Sequence, residues 1–244
     1  MLDYLKQFST DENRRRKAAW KLLDRRAKRS RLQVYRPNLV WIQDPTFADA
    51  QKRWGTIVGM PDDRRFFVFS TAASMRRVEG DTADIGVRYG TSSYFILAGL
   101  NAPNKAHHLF DSFEGLSEPT VGDMENGKKT RWEKGDLQVD ENVTRKNLSM
   151  FPNCHFHKGW IPHRFPDVAD KRFALIHIDV DLYEPTRDSL EFFYERVNPG
   201  GVIICDDYGL TTCFGARKAV NEFFADKRES VIHVPTGQSL VVKA

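Results

Sequence analysis

From about residue 80 to the C-terminus, short continuous apolar runs alternate with longer segments whose apolar positions recur at helical spacing. The runs TADIGV, HHLFDSF, CHFHKGW, FALIHIDV and GVIICDD are short and closed by Gly, Asp or aromatic residues, so each predicts a strand. Between them TSSYFILAGLN, VDENVTRKNLSMF, EPTRDSLEFFYERV and GARKAVNEFFADK predict helices, each long enough to cross between two parallel strands. That alternation is the signature of an α/β fold in which a parallel sheet is covered by helices. The chain closes with SVIHVP, a TGQ turn and SLVVKA, a hairpin-like pair that adds an antiparallel edge. The stretch GLSEPTVGDMENGKKTRWEKGDL follows neither period and predicts a long mobile loop of the kind that serves as a lid. Residues 1–79 read as mainly helical, interrupted at Pro37, Pro45 and Pro61, and form a helical N-terminal extension that caps a catalytic domain over 80–244.

Composition adds bounds to this picture. With 244 residues, 41% hydrophobic and 29% charged, the chain can bury one substantial core. Its longest apolar runs are too short to span a bilayer and no charged-then-apolar leader opens the sequence, so a cytoplasmic location is expected. Cys154, Cys205 and Cys213 form no C-x-x-C pair, which argues against a disulfide framework and a structural zinc site. The net charge of +4 conceals a basic block, RRRKAAWKLLDRRAKRSR over residues 14–31, and leaves the remainder slightly acidic. That block suits a solvated helix face. It equally suits an anionic partner such as a phosphorylated glycan, a nucleotide-linked sugar or membrane headgroups, the last giving peripheral membrane contact. No aromatic residues interleave it as a single-strand platform would require, so no nucleic acid is expected.

Candidate chemistry falls at strand ends, where open α/β sheets bind ligands. DIGVRYGTSS supplies Gly86 and Gly90 for close backbone approach, then Thr91 and Ser92 at a helix start that can receive a carboxylate. Asp111 in HLFDSFEG stands where a carboxylate can accept hydrogen bonds from ribose hydroxyls. HIDVDLYEPT and IICDDYG bring Asp179, Asp206 and Asp207 to neighbouring strand ends. Uncompensated carboxylates there repel one another, and magnesium, a hard cation with oxygen preference, resolves the conflict. Asp181 reads instead as a helix cap. Tyr183 and Tyr208 follow the acidic motifs and either line the cleft or pack under the loop.

At these residues the sequence resembles the macrocin O-methyltransferase family, which methylates sugar hydroxyls on macrolide and aminocoumarin antibiotics. VEGDTADIGVRYGTSS, LFDSFEGL, HKGW, HIDVDLYEPTRDSLEFFY, NPGGVIICDDYG, GARKAVNEFF and TGQSLVVK appear in the family's order, from about Pro61 to the C-terminus. The resemblance implies a class I methyltransferase (Rossmann-like) fold: a seven-stranded, mostly parallel sheet with an antiparallel last strand. It further implies S-adenosylmethionine as methyl donor and magnesium on Asp179, Asp206 and Asp207. The cofactor contacts it implies are Asp84, Gly86, Gly90, Thr91, Ser92, Asp111 and Ser112, with Gly159 and Trp160 of HKGW beside adenine. Family members often carry Glu in place of Asp84, so this contact becomes shorter or water-mediated. A homo-oligomer assembled through the N-terminal region is also implied. The likeness is weakest in the polar loop and the basic N-terminal region, which usually shape the acceptor pocket.

The expected reaction is methylation of a vicinal-diol hydroxyl on a sugar or glycoside, with Asp179, His163, His177 or Glu184 taking the proton. A catechol-type phenol methyltransferase would share fold and metal. A glycosyltransferase would read DVD as a sugar-nucleotide D-x-D, but it leaves DDY, the glycine turn and Asp111 without a task.

Overall fold

Five parallel strands form the centre of the protein: β1 (Asp81–Ile85), β2 (His107–Asp111), β5 (Cys154–Lys158), β6 (Phe173–Ile178) and β7 (Val197–Cys205). β8 (Ile232–His233) and β9 (Ser239–Val242) complete a seven-stranded sheet of order β5-β2-β1-β6-β7-β9-β8, with β9 antiparallel to both neighbours. This computed structural model describes residues 11–29, 39–55 and 59–244. The expected strands and crossover helices are all present; the helices are α4 (Thr91–Leu100), α5 (Glu141–Asn147), α6 (Tyr183–Phe193) and α7 (Phe214–Phe224). Every residue of β6 is buried, because a central strand is covered on both faces. One core cluster gathers Ile85, Phe110, Phe165, Ile176 and Phe193, and the other Val68, Ile96, Leu100, Leu175 and Ile204. Each such side chain contributes about 1.5–3 kcal/mol by leaving water.

The register makes the functional end level. Ile85 pairs with Phe110 and with Ile178, and Ile178 pairs with Cys205. Backbone hydrogen bonds continue past the strands, from Gly86 N–H to Phe110 O (2.9 Å), Asp179 N–H to Ile85 O (2.8 Å) and Asp206 N–H to Ile178 O (2.9 Å). Gly86, Asp111, Asp179 and Asp206 therefore stand in a row.

Two compact units divide the chain, Met1–Asp49 and Ala50–Ala244. The first contains α1 (Glu12–Arg29), which carries most of the basic block; residues 30 and 31 lie outside the described residues. α2 (Pro45–Trp54) spans the division, whereas α3 (Asp62–Ser74) belongs wholly to the second unit. The two compact units thus divide at residue 49, inside the extension expected over residues 1–79. The reason is packing: α3 buries Val68, Phe69 and Ala72, and a Cβ on Gly99 of α4 would stand 2.2 Å from Phe69 O. Among the described residues no helix is long and apolar enough to cross a membrane.

The polar segment after β2, expected to be a mobile loop, is instead docked. Its neck is closed by Leu116 N–H to Asp136 O (2.8 Å) and Gly135 N–H to Leu116 O (2.9 Å). Within it, β3 (Met124–Glu125) and β4 (Lys128–Lys129) form a small hairpin. Asp123, 2% exposed, accepts the Tyr183 N–H at 2.8 Å and the Thr120 N–H at 3.0 Å. Thr130 Oγ1 donates to Thr212 O at 3.1 Å, and Arg217 pairs with Glu125 at 3.0 Å. Such a segment shows no periodicity because its hydrogen bonds close turns and reach other elements rather than repeating along a helix or a long strand.

Candidate active site

A cavity of about 650 Å³ opens at the carboxyl ends of the strands. Gly86 (φ +88°) lies where a Cβ would be 1.8 Å from Asp179 O, so only glycine allows β1 and β6 to end this close. Gly90 (φ +83°) precedes α4; it does not line the cavity, and a Cβ there would press on Leu148 at 2.9 Å. No side chain caps the α4 start, and Thr91 and Ser92 line the cavity, so first-turn N–H groups face it with a positive helix end.

Asp111 also lines the cavity. Its Oδ2 accepts the Arg88 N–H at 2.8 Å and its Oδ1 the Phe113 N–H at 2.7 Å, leaving further lone pairs on both oxygens. Burial pushes this carboxyl up, partly offset by those N–H groups. Ser112, Gly159 and Trp160 line the cavity as well, and Trp160 is half-buried, so the indole is not a core residue. This set fits a nucleoside with an amino-acid tail: a helix start for the carboxylate, an acid for the ribose, and a half-buried ring for the base.

Asp179, Asp206 and Asp207 converge, each offering a carboxylate oxygen within 4.8 Å of the others. Burial and then mutual repulsion hold the Asp179 and Asp207 carboxyls well above the ordinary range. Three convergent acids, two of them with carboxyls held towards the neutral form, are a donor set matched to a hard divalent cation. Asp181, expected as a helix cap, is not one, since the α6 N-terminus takes Asp123 from the docked loop. Asp181 (φ +59°) lines the cavity, donates its N–H to Asp207 Oδ2 at 2.9 Å, and accepts the Cys213 thiol at 3.2 Å. Burial raises its carboxyl to about 6.

Other expected site residues lie elsewhere. Asp84 is fully buried and does not reach the cavity; Ser92 Oγ (2.7 Å) and Ser93 Oγ (2.5 Å) donate to its Oδ2, and His177 Nδ1 lies 2.8 Å from its Oδ1. It organises the α4 start. His177, also fully buried, has Nε2 3.4 Å from Asp206 Oδ1. Burial opposes its charging, but the Asp84 and Asp206 carboxylates hold its pKa well above the ordinary value. Enclosed between two carboxylates and outside the cavity lining, this imidazole orients them and does not reach a substrate. His163 is exposed and outside the cavity, whereas Glu184 lines it. Tyr183 and Tyr208 do not line it; their hydroxyls donate to Glu222 (2.6 Å) and Asn221 (2.8 Å).

Sequence reasoning missed Arg64, Arg131 and Trp132. Arg64 enters from α3 and donates to both the backbone oxygen and Oδ2 of Asp206. Trp132, whose Nε1 donates to Cys213 Sγ at 3.3 Å, lines the cavity with Arg131 stacked 4.4 Å from its ring. The adjacent Arg131 and Trp132, the latter the one aromatic residue of a polar, glycine-rich stretch, were the available signal for the last two. Arg64 carried none.

Sheet order, level strand ends and this cavity define a class I, Rossmann-like methyltransferase. The O-methyltransferase NovP has the same fold, with a TM-score of 0.62 at 25% identity over 75% of this chain and 80% of that one. The chain belongs to the macrocin O-methyltransferase (TylF) family, whose description matches residues 46–236. It is 32% identical over 179 residues to 8-demethyl-8-(2,3-dimethoxy-alpha-L-rhamnosyl)-tetracenomycin-C 4'-O-methyltransferase of Streptomyces olivaceus, covering 69% of this chain and 67% of that protein. With mycinamicin III 3''-O-methyltransferase of Micromonospora griseorubida it shares 30% identity over 157 residues, 60% of this chain and 61% of the relative.

Proposed function

We propose that this protein transfers a methyl group from S-adenosylmethionine to one hydroxyl of a vicinal diol on a sugar or glycoside, with magnesium held by Asp179, Asp206 and Asp207. The observation that carries the reading is the convergence of those carboxylates on a cavity that also contains an uncapped helix start and Asp111. The rhamnosyl group in the name of the Streptomyces olivaceus relative supports a sugar acceptor.

When bound, the sulfonium would supply an electrophilic methyl, and magnesium would supply a Lewis acid that orients neighbouring oxygens and acidifies a hydroxyl. The protein's own contribution is alignment, on the order of 7–11 kcal/mol in favourable cases. Thr91, Ser92 and the α4 amides would receive the methionine carboxylate, Asp111 would accept from the ribose hydroxyls, and Gly159 and Trp160 would hold the adenine. Asp181 takes the acceptor's proton: it lines the cavity and its backbone is tied to Asp207, whereas Glu184 stands further out at the exposed start of α6. Trp132 and Arg131 wall the acceptor side.

The test is transfer of radiolabelled methyl across a panel of glycosides, nucleotide sugars and catechols, with Mg²⁺ or with excess chelator, alongside thermal-shift measurements with S-adenosylhomocysteine. Label on a sugar hydroxyl, abolished by chelation, is expected. Full turnover in chelator would remove the metal from the mechanism, and stabilisation by UDP or GDP in place of S-adenosylhomocysteine would overturn the reaction class.

A further inference from the structure

Asp206 is the most heavily bonded of the three convergent acids. Its Oδ1 receives Gln238 Nε2 at 2.5 Å and faces His177 Nε2 at 3.4 Å, and two donors fill the two lone pairs of a carboxylate oxygen. Oδ2 is therefore the atom left for a cation, and the Arg64 guanidinium sits on it through Nη2 while holding the Asp206 backbone oxygen as well. The Arg64 side chain is 13% exposed, lines the cavity, and has no hydrogen-bond partner for Nε among the described residues. Its Cα is fixed, because α3 is locked on α4 by the close approach at Gly99. The cavity it lines is the space into which the side chain would swing.

A guanidinium and a divalent cation compete for one carboxylate oxygen, since like charges at contact distance repel in a site shielded from water. We propose that Arg64 is an exchangeable counter-ion of the acid site: it neutralises Asp206 in the cation-free protein and is displaced into the cavity when the cation enters. This rests on the metal reading above and adds that cation affinity is set by competition with an internal positive charge. It also accounts for how three closely placed carboxylates fold together before any cation arrives.

The test measures cation binding rather than turnover. Mn²⁺ affinity is read from the free-ion electron paramagnetic resonance signal, and Mg²⁺ affinity by calorimetry, for wild type, R64Q and R64K. Arg64→Gln keeps a polar, hydrogen-bonding side chain on a shorter stem but removes the competing charge, so cation affinity should tighten by roughly tenfold or more. Arg64→Lys retains the charge and should stay near wild type. Equal or weaker binding by R64Q, or equal tightening in R64K, overturns the proposal. Should R64Q fail to fold, crystals of wild type soaked in Mn²⁺ decide: a broken Arg64–Asp206 Oδ2 contact supports exchange, and a retained one overturns it. If wild type binds no divalent cation at all, the metal reading itself falls, which is a different outcome from wild type binding with R64Q unchanged.

Discussion

Replacing Asp123 with alanine removes a carboxylate that works for two elements at once. Oδ1 accepts the Tyr183 N–H at the start of α6, 60 residues away, and Oδ2 accepts the Thr120 N–H in its own loop. Helix α6 has no other side-chain cap, because its N-cap residue is Leu182. Hydrogen bonds to a charged acceptor contribute about 1.5–3 kcal/mol each, and loss of an N-cap alone costs about 0.5–2 kcal/mol. Relief of the buried carboxylate's desolvation offsets part of this, so the net loss should be about 2–4 kcal/mol. For a chain of this size that lowers the melting temperature by roughly 4–16 °C. Asp123→Asn keeps one acceptor oxygen and should lose about half as much. The same substitutions undock the segment bearing Arg131 and Trp132, so KM for the acceptor should rise while affinity for S-adenosylhomocysteine, bound at other strand ends, holds. Urea unfolding and substrate kinetics on the two variants measure both effects. A loss under about 1 kcal/mol with unchanged acceptor KM would refute the latch.

Three further outcomes are expected. Gly86→Ala places a methyl on the Asp179 carbonyl in a left-handed backbone conformation, so the β1 and β6 ends must separate; S-adenosylhomocysteine and cation binding should both weaken by at least roughly tenfold, read by calorimetry. His107 is fully buried, its Nε2 has no partner among the described residues, and burial lowers its pKa to about 4. The unfolded chain binds this proton near pH 6.5 and the folded one only near 4, so its contribution is complete above about 6.5 and is lost as pH falls towards 4. That amounts to about 3 kcal/mol. His107→Gln should flatten this limb of the stability–pH curve, and an unchanged limb would show that His107 does not cause it. Asp111→Ala should weaken S-adenosylhomocysteine binding by roughly tenfold to a hundredfold while leaving cation affinity near wild type; equal binding would remove Asp111 from the cofactor site.

Strands, crossover helices and the closing hairpin were legible in the chain because each is a local pattern: a short apolar run such as FALIHIDV must be a buried strand wherever it lies. The acids at strand ends were legible for the same reason, since alternation of strand and helix already fixes which end of each strand faces the crevice. Contacts between distant positions were not. Nothing near Asp181 in sequence says that Asp123 will cap the helix it was expected to cap. Nothing in HIDV says that His177 will be locked between Asp84 and Asp206, 93 and 29 residues away. Nothing in DDRRFF says that one arginine will cross 142 residues to reach a carboxylate. Periodicity and turn chemistry report a residue's immediate neighbours. The partner of a buried charge is chosen by whichever opposite charge packing brings within reach, and packing exists only once the whole sheet has closed.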